Sequence, residues 1–124
     1  MKKSVYVTLG VLAVSLALAI GAGTVMAQDV AKMSTNDIKV LVDNDWVRVL
    51  EILHKPGAKE PMHSHPAAVS VSLSAFKLKA TKHDGTSSER EAKVGEVRWT
   101  EPATHAVENV GTTDQHMIMI ELKK

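Results

Sequence analysis

The chain has 124 residues, no cysteine, six histidines and a formal charge of +1, from 15 Lys and Arg against 14 Asp and Glu. Without cysteine there is neither a disulfide framework nor a thiol nucleophile. A near-balanced charge with no basic run and no aromatic platform points away from nucleic acid and from a lipid surface.

Lys2 and Lys3 open the chain, and an apolar run from Val5 to Ile20 follows, broken only by Thr8, Gly10 and Ser15. Small residues lead from Gly21 to Met26-Ala27. A basic head, a short apolar middle and a small-residue exit predict a secretory signal peptide over 1–27, cut after Ala27. A membrane span needs about 20 apolar residues; this run is shorter and ends in glycines, so cleavage is expected rather than retention as an anchor. The absence of a twin-arginine pair favours the general secretion route. The expected location is periplasmic or extracellular, with no stable membrane association after cleavage. Removing 27 of 124 residues leaves 97, and losing two lysines leaves 13 basic residues against 14 acidic, a charge of −1. That is one domain, near the lower end of what a single core stabilises.

Residues 28–36 are polar and aperiodic and read as a flexible N-terminal segment before a domain over 37–124. From there the dominant period is two. Ile38–Val42 reads as a strand, Asp43-Asn44-Asp45 as a turn, and Trp46–His54 as a second strand ended by Pro56-Gly57. Met62-His63-Ser64-His65 comes next. Val69–Ser74 alternates strictly, placing Val69, Val71 and Leu73 on one face and serines on the other, and Phe76–Ala80 continues the pattern. Asp84-Gly85 marks a hairpin. Val94-Gly95 breaks the chain before Glu96–Trp99. A short strand at Val107–Val110, a turn at Gly111 and a closing strand at His116–Leu122 complete it. No amphipathic helix longer than two turns appears after residue 36. Short strands separated by turn signals predict an all-β fold, a small antiparallel β-barrel or double-sheet sandwich.

His63 and His65 are two apart, so on an extended strand both imidazoles point to one face. Transition metals accept neutral imidazole nitrogen at about 2.0–2.2 Å. A lone His-x-His is weak evidence, since polar edge strands carry it by chance. A second constellation runs from Gly95 through Pro102 and His105 to Asn109.

Together these segments resemble the two motifs of the cupin superfamily. Gly57, His63 and His65, with five residues between the glycine and the first histidine, are similar to the first motif. Gly95, Pro102, His105 and Asn109 follow the order of the second. The resemblance runs from about Val40 to Leu122 and implies a jelly-roll barrel with His63, His65 and His105 as metal ligands. It also departs from the family. Ala68, Val69 and Ser70 occupy the region where a glutamate ligand is usual. Glu101 and Ala103 stand near the usual proline and glycine, and one residue is missing before His105. Three ligands carry over, and the fourth does not.

The resemblance implies one divalent transition metal ion (Zn, Fe, Mn, Ni or Cu) and a small-molecule ligand or substrate. If the protein is an enzyme, dioxygenase-like or isomerase-like chemistry is implied; the alternative is a non-enzymatic metal- or ligand-binding carrier or sensor. A homodimer is a further expectation by analogy. Glu60 and Glu101 read as solvated loop charges before ligands, because three residues ahead of His63 an extended chain carries Glu60 to the opposite face. Glu101 is placed in a loop at the barrel mouth, where acid–base work would fall to it. His54 and His116 are candidates for the cavity or for supporting the ligands. Trp99, with the Val69, Val71 and Leu73 face, is a candidate apolar wall. His83 reads as a turn residue, and Asn109 as structural.

Overall fold

The computed structural model describes residues 28–32 and 37–124; the expected signal peptide over 1–27 lies outside them. Among the described residues ten strands occur: β1 (Gln28–Asp29), β2 (Ile38–Asp43), β3 (Val47–His54), β4 (Lys59–His65), β5 (Ala68–Ser72), β6 (Phe76–Lys82), β7 (Ser87–Ala92), β8 (Val97–Thr100), β9 (Ala103–Asn109) and β10 (Gln115–Leu122). A 3₁₀ turn spans Val30–Lys32. The strands form two five-stranded sheets, ordered β1-β4-β9-β6-β7 and β2-β3-β10-β5-β8. Every pair is antiparallel except β1 with β4. The all-β jelly roll expected from the sequence is the fold observed.

Strand periodicity explains which side chains enter the space between the sheets. On β3, Leu50, Ile52 and His54 are buried; on β10, Gln115, Met117 and Glu121 are. The core joins Leu50, Ile52 and Met117 from one sheet with Phe76 and Ala92 from the other, so the sheets pack face to face. Val30 also enters this core. The segment read as a flexible lead-in is therefore tied down over 28–32: β1 pairs beside His63, and Asp29 grips the Arg48 guanidinium with two bonds of 2.8 Å. Val30 is the apolar anchor that the polar composition of the segment concealed.

Arg48 also donates from Nε to Glu121 Oε2 at 2.6 Å. Its pKa is raised by the hydrogen bond to Asp29, against the opposing effect of burial, and by the bond and charge of Glu121. This ion triad joins β1, β3 and β10.

On β5 the expected parity is inverted. Ala68, Ser70 and Ser72 point inward, while Val69 and Val71 lie on the outer face and Leu73 is exposed. Across the outer face Val69 pairs with Trp99 and Val71 with Val97, and both partners are largely exposed. The apolar side of this strand belongs to the outside of the barrel, so it does not wall the cavity.

Two turns hold the halves together. Gly57 takes φ 82°, a left-handed conformation suited to glycine, and its N–H donates to the Asn109 carbonyl at 2.8 Å. Asn109 is buried and donates from Nδ2 to the His54 and Thr113 carbonyls, while its Oδ1 accepts from Gly111 N–H.

Candidate metal centre

β4 and β9 lie side by side with His63 directly opposite His105 and His65 opposite Ala103. Antiparallel pairing thus brings a residue 40 positions away onto the His-x-His pair. The ring centroids are 4.8 Å apart for His63 and His105, 5.1 Å for His65 and His105, and 6.1 Å for His63 and His65. One ring nitrogen from each lies within 4.8 Å of the others, and His63 and His65 are buried. Two imidazole nitrogens on one tetrahedral ion stand about 3.4 Å apart, so modest ring rotation closes the set.

The backbone sets the tautomers of the first two rings. His63 Nδ1 lies 3.0 Å from the Pro61 carbonyl, and His65 Nδ1 lies 2.9 Å from the Pro66 carbonyl. A carbonyl only accepts, so each Nδ1 carries a proton, and in the neutral ring each Nε2 keeps a lone pair. His65 Nε2 is buried and has no hydrogen-bond partner. Leaving such an acceptor unsatisfied costs about 1–3 kcal/mol. The pKa of His105 is pushed down to about 4 by burial, then by the charges of His63 and His65. At neutral pH it too offers a lone pair. Ring orientation locked through the other nitrogen is the arrangement by which proteins present imidazole to metals, and the residues fit a divalent ion.

Glu60 is inside, contrary to expectation. Between Glu60 and His63 the pairing of β4 with β9 slips: Glu60 faces Val107 and His63 faces His105, so three steps on β4 match two on β9. That extra residue is a β-bulge, and a bulge reverses parity. Glu60 is buried, with Oε2 3.6 Å from His63 Nε2 and Oε1 3.1 Å from His54 Nε2. The latter contact is near enough for charge attraction but lacks hydrogen-bond alignment. His54 Nδ1 meets Gln115 Oε1 at 3.0 Å, and Gln115 Nε2 donates to Met117 Sδ at 3.1 Å. His54 therefore supports the carboxyl group beside the centre. Burial opposes its charging most strongly, yet Glu60 and Gln115 together raise its pKa.

The other candidates lie elsewhere. Trp99 is half exposed and donates from Nε1 to Glu101 Oε1 at 2.7 Å, both outside the barrel mouth, because the inward parity of β8 belongs to Arg98 and Thr100. His116 sits on the outward parity of β10, with Nε2 2.8 Å from Glu51 Oε1. Neither supports the histidine cluster.

The three histidines open on a cavity of about 370 Å³, within the range of small-molecule sites, whose wall includes Glu60, Ile52, Leu78, Met117, Met119, Ser70, Arg90 and Arg98. Nothing in the local pattern marks either arginine, although their inward parity follows once the strands are registered.

Known structures share this architecture. A cupin domain from Bordetella pertussis Tohama I superimposes with a TM-score of 0.64 at 27% identity, covering 70% of this chain and 92% of that one. An RmlC-like cupin with a double-stranded β-helix fold from Methanocaldococcus jannaschii gives 0.56 at 14% identity, over 68% of this chain and 77% of that one. An oxalate decarboxylase gives 0.50 at 20% identity over 68% of this chain, which spans 24% of that enzyme's length. The last two show the fold alone. No family model and no curated protein matches the chain. Fold and histidine cluster together define a small cupin-type domain.

Proposed function

We propose that this protein is an exported, metal-dependent cupin that binds or transforms a small organic molecule in its barrel. The observation that carries the reading is the buried, unpartnered Nε2 of His65, beside His63 and His105 with the Nδ1 protons of His63 and His65 tied to carbonyls. His63, His65 and His105 would hold one divalent ion, of Zn, Fe, Mn, Ni or Cu. Such an ion, when bound with open positions, supplies Lewis-acid or oxygen-binding chemistry.

This chain's own residues do the rest. Pro61 and Pro66 orient the ligand rings through their carbonyls. Glu60 stands beside His63 as the carboxyl group that Ala68, Val69 and Ser70 do not provide. The cavity wall limits the ligand's size. A cavity of about 370 Å³ open to the histidines supports a small-molecule role over a closed metal store. Dioxygenase-like chemistry is the enzymatic form of this reading, and a ligand or metal carrier its non-enzymatic form.

Export rests on the basic start, apolar run and small-residue exit of residues 1–27. A homodimer is proposed from the apolar outer face around Val97 and Trp99. The deciding experiment is elemental analysis of protein purified from its native compartment, set against a His63→Ala/His65→Ala/His105→Ala variant. Metal near one equivalent, lost in the variant, is expected; equal metal content in the two would sink the site. Oxygen uptake with a phenolic or thiol substrate would then separate enzyme from carrier.

A further inference from the structure

β7 and β8 are consecutive in the chain, and each is the edge strand of its own sheet. Each sends one arginine into the cavity. Arg90 pairs with Leu78 and Arg98 with the buried Ser70, and all four line the cavity wall. Arg90 is held: Nη1 donates to Glu96 Oε1 at 3.0 Å, and its guanidinium lies 5.6 Å from the Phe76 ring centre. Among the described residues Arg98 has no side-chain hydrogen bond or ion pair.

The nearby charges do not cancel. Glu96 is taken by Arg90 and Glu89 by Lys77 Nζ at 2.9 Å, while Glu60 lies at the histidine end, beside His54 and His63. Burial, and then the charge of Arg98, lower the pKa of Arg90, so the two guanidiniums feel each other. Two like charges beside an apolar wall repel unless an anion joins them, and the repulsion grows as water is excluded. A planar guanidinium matches a carboxylate with two parallel bonds. One uncompensated positive charge suits a monoanion.

We propose that Arg98, with Arg90 beside it, forms the anion-recognising end of the cavity, so that the ligand presented to the histidines is a small carboxylate with an apolar body. This deepens the reading of the site given above, but the arginine end stands without the metal.

The test is calorimetric titration of the purified protein with straight and branched carboxylates of two to six carbons, each beside its neutral amide, and with inorganic phosphate. Titrations are run on chelator-treated protein and after loading with Co(II), whose absorption reports the histidine centre independently. At least one acid should bind about tenfold or more tighter than its amide, and Arg98→Gln should remove that margin while Arg98→Lys keeps part of it. Arg98 is surface-accessible, so its loss should leave the melting temperature unchanged. No preference for any acid over its amide, equal binding by wild type and Arg98→Gln, or tighter binding of phosphate would each overturn the proposal. Arg98-dependent acid binding without Co(II) uptake would defeat the metal reading alone. Co(II) uptake with acid binding indifferent to Arg98 would defeat this one alone.

Discussion

Burial lowers the pKa of both His105 and His54, but the Glu60 carboxylate and Gln115 reverse the outcome at His54, and the contrast gives the metal-free barrel a stability profile in pH. The pKa of His105 is lowered to about 4 from an ordinary 6.5. As pH falls from 6.5 towards 4 the unfolded chain takes up a proton that the folded chain refuses. Stability is lost across that window, by at most about 1.4 kcal/mol per pH unit. His54 has its pKa raised above 6.5. Its contribution is fully present below 6.5 and is lost as pH rises through the raised value. Thermal unfolding of chelated protein should therefore peak in stability near pH 6.5. His105→Gln should flatten only the acid limb, and His54→Gln only the alkaline one. A profile rising steadily through pH 8 would contradict both assignments.

Glu60 makes a second prediction at this scale. Glu60→Gln keeps the shape but removes the negative charge 3.6 Å from the ligand nitrogen of His63, and losing that charge beside a divalent ion should weaken metal affinity by about tenfold or more. Competition against a chromophoric chelator measures it; unchanged affinity would reduce Glu60 to a structural group. The sequence showed three histidines because spacing and family resemblance both act on residue identity. It misplaced Glu60 because one inserted residue in the β4–β9 ladder leaves no mark on local alternation.

Among elements, β5 shows why a clean pattern can be read on the wrong face. Alternation in Val69–Ser74 establishes a strand with two chemically different sides, but which side faces in depends on neighbours. Ser70 and Ser72 face the interior beside Met119 and Met117, whereas Val69 and Val71 meet Ile120 and Ile118 on the outside. β7 was missed for a related reason: Ser87–Ala92 is an edge strand whose exposed polar side chains carry little hydrophobic period. The β1–β3–β10 ion triad was equally hidden, since nothing local links Asp29, Arg48 and Glu121. Its removal is testable. Arg48→Met strands the Glu121 carboxylate, which is 1% exposed, and breaking such a buried pair costs about 3–5 kcal/mol. Arg48→Met with Glu121→Leu should recover most of the loss in denaturant titrations. Equal destabilisation by single and double variants would assign the cost to packing alone.

At the scale of the molecule, the outward parity that removed the valines from the cavity wall gives the barrel an apolar exterior. Val49, Ile120, Val69 and Trp99 follow one another across β3, β10, β5 and β8, and Ile118, Val71 and Val97 form the next row. Val97 is 66% exposed and Trp99 50%. Contiguous exposed apolar surface of this kind marks association, and a self-complementary patch related by a twofold axis is the commonest solution. The proposed homodimer should therefore use this face. Light scattering at micromolar concentration should give twice the chain mass, and Trp99→Glu, which places a charge on the exposed edge strand of the patch, should give the monomer with an unchanged far-ultraviolet spectrum. Because the face lies on the outer side of the sheet that carries Ser70 and Arg98, the monomeric variant should still take up Co(II). A wild-type protein that stays monomeric at high concentration would leave the apolar rows to another partner, and the dimer would have to be abandoned.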